Sequence, residues 1–584
     1  MKYQLKTKNY NEETSDIALH ELLQERGIEQ PSEWLHPSFI HEHSPLLFRE
    51  MKKAIALLHT TSKNSEATIT VVVDSDLDGY TSGAIILTLL KNVCRGQEIN
   101  FVLHPNKEHG IILDELADDI DLLIVPDAGS SQKEEHLFLL EKGTKIIILD
   151  HHEMENDLNY GEYQDNIAVI NSQEEDYPNH ALSGAGVALK FAQAYCEKVG
   201  VPFPNKLYSL AACGIVADVM DIGVLENKQI VTAGLKYIKE HQFLYKLIQD
   251  AHYNMEDPEP SIKDIGWVIG PNINAIIRLG TQEQKIVIFK SLVSPMLLVP
   301  SSKRGEDDQE VPVFEEAVRL CKNAKKRQTT AVEKSIRIIE SNMKISDRDN
   351  ALVYIDEDRD LTFELSGLIA NKLLSQYNRP VLLLRKFVDH ATGEEEYRGS
   401  ARGKAVDGLS NLKDVIKDLT GVSKAEGHAF AFGVGVNSDM VSEFKMHLNT
   451  VLDKVDFNVN LYLVDLIAKY TELNLNIARV MAREDVWGHG VEKPSAILTD
   501  IPTDKYELMG AEQQHLKIDC GHYDVVLFNV PEITEPLIQG NKVNLDVVGD
   551  FSIDTAYNVG RLQFVVNDYD IKPYTQKTVW DMVF

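Results

Sequence analysis

Positive charge is scarce in this chain: 59 lysines and arginines stand against 90 aspartates and glutamates, a formal net charge of −31. That balance argues against a surface coated in basic residues for duplex DNA. It leaves room for a narrow channel that is locally basic beneath an acidic exterior. Cysteine is sparse too. The five present (Cys94, Cys196, Cys213, Cys321 and Cys520) form no CxxC pair, which points away from a disulfide framework and towards reduced, mostly buried thiols of a cytoplasmic protein. No apolar stretch approaches the ~20 residues needed to span a bilayer, and the opening MKYQLKTKNYNEETSD has no signal-peptide core. Internal repeats and low-complexity segments are absent as well.

The 584 residues are too many for one core, and at ~150 residues per domain about four domains are expected. Residues 1–60 read as a polar helical cap, with "EETSDIALHELLQERG" carrying apolar residues at helical spacing. From residue 68 short strand-like runs alternate with helical segments: TITVVV, INFVLH, DLLIVP, KIIILD and NIAVIN. That alternation predicts an α/β domain with a mostly parallel sheet over 61–305. A long polar helix (311–343) within a connecting segment 306–345 joins it to a second α/β unit at 346–455. The last stretch, 456–584, ends in alternating runs that suggest a small β-barrel.

The acids carry the chemistry by position. Asp74, Asp127 and Asp150 each follow directly on an apolar strand, and ligands of open parallel sheets bind beyond the carboxyl ends of the strands. Asp74, Asp76 and Asp78 share a face if the extended geometry persists. A calcium loop is the rival reading of DSDLDG, but a strand precedes it and the twelfth position is Ile85 rather than glutamate. His151 and His152 add two imidazoles beside Asp150, and Asp218 closes an apolar run where burial is costly without a cation. Histidine with several carboxylates suits manganese, zinc or magnesium better than calcium. Five carboxylates exceed the needs of one ion and fit two bridged ions ~3.5–4 Å apart, the arrangement that clamps a phosphate and acidifies water for phosphate-ester hydrolysis.

In order, DSDLDG, VPDAGSS, LDHHE and ADVMD resemble the four motifs of the DHH phosphoesterase superfamily. From residue 68 to the end, further segments resemble its RecJ-type single-strand-specific exonucleases: LSGAGVALKF, GPNINAIIRLG, SGLIANKLLSQYNRPVLLL, YRGSARG and EGHAFAFG. The resemblance implies one metal on Asp74, Asp76 and Asp127 and another on Asp78, Asp127, His151 and Asp218, with Asp127 bridging and Asp221 as the fallback to Asp218. It implies Mn2+ or Mg2+ as the ions. Asp150 would orient His151, and His152 would face the scissile phosphate or the leaving oxygen. Ser400, Arg402, Gly427 and His428 would grip a phosphate or the terminal nucleotide, with Asn274 and Arg278 in the channel or in a structural helix. The final domain would be OB-like, binding single strands by stacking and charge, and Lys322, Lys325, Lys326 and Arg327 are candidate backbone contacts on the connecting helix.

Two departures stand out: Glu426 and Asn272 occupy positions where the family commonly has glycine and arginine. The implied activity is 5′→3′ exonucleolytic hydrolysis of single-stranded DNA to mononucleotides, in repair, recombination or phage DNA metabolism. The implied protein is a monomer whose partners include single-strand-binding protein or a helicase. The alternatives are a DHH phosphodiesterase for short RNA oligonucleotides or cyclic dinucleotides, and a non-catalytic scaffold of a replication complex.

Overall fold

A computed structural model describes residues 2–6, 15–105, 108–154, 158–173, 176–303, 305, 309–343, 349–388, 395–406, 408–457, 461–554 and 560–574. Residues 12–14 of the expected N-terminal helix and 575–584 of the expected barrel unit lie outside this set.

The first domain is built on five parallel strands: β1 (Thr68–Val73), β2 (Glu98–Leu103), β3 (Leu122–Pro126), β4 (Lys145–Asp150) and β5 (Ile167–Asn171). Their order is β2-β1-β3-β4-β5. β3, β5 and nearly all of β1 and β4 are buried, as continuous Val/Ile/Leu runs require when helices cover both faces. The order reverses between β1 and β3, and a crevice opens at such a switch point beyond the strand ends. Helix α1 (Leu77–Val93) leaves that crevice, capped by the Asp76 carboxylate. Helices α2 (Gly184–Val199) and α3 (Leu207–Ala217) pack against α1. Helix α4 (Gly270–Leu279) continues a π-helical turn, Ile265–Ile269.

Helix α5 (Val313–Asn342) is the connector. Its first half buries Ala317, Leu320, Cys321 and Ala324 in the first domain's core. Its second half places Val332, Ile336 and Ile339 in the core of the second lobe. That lobe holds five strands in the spatial order Val422–His428, Ala431–Asn437, Glu395–Arg402, Val381–Val388, Leu352–Ile355, antiparallel except for the last pair. The C-terminal unit is one mixed sheet of seven strands between Leu466 and Pro573.

The N-terminal segment, expected as a helical cap, carries the helices Ser15–Glu25 and Pro31–Leu35 and is tied to the rest of the chain by a strand and by polar contacts. Its strand Lys2–Leu5 pairs in parallel with Leu461–Val464. Arg26 bonds Asp465 at 2.9 Å and the Glu492 carbonyl at 2.8 Å. The Trp34 indole donates to the Ile222 carbonyl at 2.8 Å. Strand pairing across ~460 positions carries no local signal, and the polar–apolar alternation of KYQL is only four residues long, the short limit of a strand pattern.

Candidate metal centre and cleft

Each acid reaches the crevice for a local reason. Asp74 follows the last residue of β1, and Asp76 and Asp78 sit at the start of α1, where the Gly79 amide donates to Asp76 at 3.1 Å. Asp127 follows β3 with φ of 68°, a left-handed conformation that non-glycine residues hold only under constraint from their surroundings. Asp150 ends β4, and Asp218 caps the C-terminus of α3.

The side chains converge. His151 Nε2 lies 3.3 Å from Asp127, 3.5 Å from Asp218 and 3.9 Å from Asp78. Single ligand atoms of Asp74, Asp76 and Asp127 lie within 4.8 Å of one another, as do those of Asp78, His151 and Asp218. Asp221 is elsewhere, its carboxylate accepting from the Gly223 amide at 2.7 Å.

Backbone donors that the motif pattern does not reveal surround Asp78. It accepts from the Gly184 amide at 2.8 Å, the Ala185 amide at 3.0 Å and the Ser183 hydroxyl at 3.1 Å, so it sits on the N-terminus of α2 where a negative charge is favoured. Gly184 and Gly214 make this approach possible. A Cβ on Gly184 would fall 2.2 Å from Asp127 Oδ1, and one on Gly214 would fall 2.0 Å from Asp78 Oδ1. His109 is a further neighbour outside the sequence reading: its Nδ1 lies 2.7 Å from Asp74, whose other oxygen accepts from the Gly110 amide at 3.1 Å.

One role differs from the sequence reading. The ring that Asp150 holds is that of His152, at 2.8 Å, while His151 offers Asp150 only its backbone amide, at 2.7 Å. The amide of Ser130 completes the cradle at 3.0 Å. With both its neighbours' backbones tied to this carboxylate, the chain at 151 turns the first ring inward and leaves the second against Asp150.

Electrostatics test whether cations fit. Burial, then the charges of Asp78, Asp76 and Asp74, push the Asp127 carboxyl well above the usual carboxylate range. Burial and the Asp78 and Asp76 charges raise Asp218 to about 8, and burial with Asp74 and Asp78 raises Asp76. Asp127 Oδ1 is buried with no hydrogen-bond partner, an arrangement that costs free energy unless a cation meets it. Nitrogen and oxygen ligand atoms around a buried carboxylate oxygen that accepts no hydrogen bond fit divalent manganese or magnesium. Burial lowers His151, keeping its ring neutral as a ligand must be. His152 is raised to about 9, chiefly by its hydrogen bond to Asp150, so it is cationic at neutral pH.

A cavity of about 920 Å³ opens between the lobes beside this centre, lined by Ser75, Arg278, Ser366, Ser400, Arg402 and Glu426 among others. Ser400 and Ser366 hydroxyls are 2.9 Å apart. Burial and the Arg278 charge lower the proton affinity of Arg402, so two guanidinium groups face the same space, and no carboxylate among the described residues pairs with either. Gly427 and His428 do not line the cavity; they sit exposed on the adjoining strand, the Gly427 carbonyl accepting from Lys413 at 2.7 Å. Glu426 does line it and pairs with Lys424 at 2.8 Å.

A second cavity of about 840 Å³ shares Arg278 and runs past Val216, Val219, Asn274 and Lys325 to the C-terminal unit. The basic run on α5 divides by helical geometry. Lys322 pairs with Asp250 at 2.8 Å, Lys325 faces the second cavity, and Lys326 and Arg327 line a separate groove.

Comparison with known proteins follows the same lines. The family model described as "DHH family, N-terminal domain" matches residues 68–215, and that of the "RecJ OB domain" matches 464–568. The chain is 33% identical over 525 residues to a putative SPbeta prophage-derived single-strand DNA-specific exonuclease, YorK, of Bacillus subtilis, with 88% of each chain covered. It is 24% identical over 576 residues to the single-stranded-DNA-specific exonuclease RecJ of the same organism, covering 94% of this chain and 67% of that one. Among solved structures, RecJ from Thermus thermophilus in complex with Mn2+ superposes with a TM-score of 0.71 at 21% identity, over 98% of this chain and 80% of that one.

Proposed function

Because the chain belongs to the DHH family, in its RecJ-like phage type, we propose that it is a divalent-metal-dependent exonuclease that hydrolyses single-stranded DNA from the 5′ end and releases mononucleotides. Asp74, Asp76 and Asp127 would hold one ion, and Asp78, Asp127, His151 and Asp218 the other. Bound there, Mn2+ or Mg2+ neutralises phosphate charge and acidifies the attacking water.

The chain's own groups do the rest. Arg278 and Arg402 take the phosphates in their planar forks of donors, and Ser400 adds a hydroxyl. His152, kept protonated by Asp150, delivers a proton to the leaving oxygen. We place the protein in the cytoplasm as a monomer, working with single-strand-binding protein or a helicase in repair, recombination or phage DNA metabolism.

The observation that carries the reading is the buried Asp127 oxygen, which accepts no hydrogen bond and lies 3.3 Å from His151 Nε2, amid Asp78 and Asp218. The alternative of a phosphodiesterase for short RNA oligonucleotides or cyclic dinucleotides would use the same centre, but it gives no task to the cavity that continues to the C-terminal unit. A non-catalytic scaffold has no reason to keep every ligand position filled. Asp127→Ala tests the proposal: hydrolysis of a labelled single strand is expected to fall more than about a hundredfold with the circular dichroism spectrum unchanged. Retained cleavage would remove Asp127 from its bridging role.

A further inference from the structure

Trp267 is 78% exposed, although tryptophan is highly buried on average. It stands on the π-helical turn Ile265–Ile269, a departure from α-geometry that recurs at functional sites. The opposite side of this segment is ordinary core: Ile262, Ile265, Ile269, Ile273 and Ile276 are all buried. Trp267, Pro271, Asn274 and Arg278 are spaced four, three and four apart, and all four line the 840 Å³ cavity. They form one stripe along a helix. Its far end, Arg278, also opens on the 920 Å³ cavity and feels the charge of Asp76. At ~1.5 Å per residue the stripe is about 16 Å long, the reach of a few nucleotides. Lys325 faces the same cavity, and among the described residues its ammonium bonds the Gln328 amide oxygen, at 3.0 Å, and no carboxylate.

We propose that Trp267 is a stacking platform for a base of the single strand a few nucleotides from the cleaved bond, with Lys325 and Arg278 holding the intervening phosphates. This deepens the nuclease reading and rests on it. A flat aromatic face accepts any base, because every base has a π-face, so the platform grips strand without reading sequence. It also sets a minimum length, since a strand too short to reach from Arg278 to Trp267 forgoes the contact.

The test uses the full-length protein and oligothymidylates. With the divalent ion chelated, a 12-mer is expected to quench the fluorescence of the wild-type protein, and Trp267→Phe to lose most of that quenching. In the presence of Mn2+, Trp267→Ala is expected to raise KM for the 12-mer between about fivefold and a hundredfold. The rise should shrink as the strand is shortened, and Trp267→Phe should recover much of it. An equal rise for all lengths, or none, would overturn the platform while leaving the nuclease reading intact. A wild-type protein that cleaves no single strand would defeat the nuclease reading itself.

Discussion

At the scale of single residues the site is a set of carboxylates held closer together than their charges allow, each by a different device. Asp78 rests on the amides of Gly184 and Ala185. Asp74 is met by His109, and Asp127 is held in a left-handed backbone. Asp150 takes three backbone amides and the His152 ring, which outweigh its burial and hold it below the usual carboxylate range. The pH consequence has a definite sign. His152 is raised to about 9, so its proton is present at neutral pH and is lost as pH rises through that value. Asp150→Asn removes the charge and returns the ring towards ~6.5, so the alkaline limb of the kcat profile should move to lower pH than in the wild type. A limb that stays in place would assign it to another group.

Asp74, Asp127 and Asp150 are legible in the sequence because each sits at the end of an apolar strand, and strand ends point one way in a parallel sheet, whereas Asp218 closes an apolar helix instead. The partner of Asp150 is not legible, since LDHHE offers two adjacent rings and only the turn decides which one folds back. Nor is His109, whose contact with Asp74 spans 35 positions.

At the scale of elements, the five strands of the first sheet lie within one residue of the apolar runs, because continuous β-branched stretches bounded by polar residues allow little else. The π-helical turn before α4 is invisible to pattern, since it differs from an α-turn in its hydrogen bonding rather than in composition. The N-terminus of α2 has the clearest mechanical role: it carries Asp78 on its amides and leaves room for Asp127 at Gly184. Gly184→Ala places a methyl group where the Asp127 carboxylate lies. Overpacking of this kind costs ~1–3 kcal/mol, and thermal unfolding should show that loss. Titration calorimetry with Mn2+ should show affinity reduced by about tenfold or more. Unchanged affinity would mean that the carboxylate is not a ligand.

At the scale of the whole molecule, the first domain and the C-terminal unit share one apolar core. Leu466, Met481, Val486 and Phe564 belong to the same cluster as Val71, Leu89 and Phe191. The Lys2–Leu5 strand and the Arg26–Asp465 pair tie the N-terminal segment to that unit. The second lobe stands apart, with its own core and the second half of α5. Truncation before residue 456 is therefore expected to expose core and abolish a cooperative thermal transition in the remaining chain. A truncated protein melting at the full-length temperature would show the units to be independent. Three successive α/β, α/β and β-rich stretches are readable from element alternation, whereas this fusion is not, because it depends on contacts between segments hundreds of positions apart.

The claim beneath all of this is that clustered acids at the switch point hold divalent cations for cutting single strands. The most direct measurement incubates the purified protein with 5′- and 3′-labelled single- and double-stranded oligonucleotides, in Mn2+, in Mg2+ and in chelator. Single strands should shorten from the 5′ end, releasing mononucleotides, only when a divalent ion is present, and duplexes should persist. Single strands left intact in both metals, or cut equally well in chelator, would contradict it.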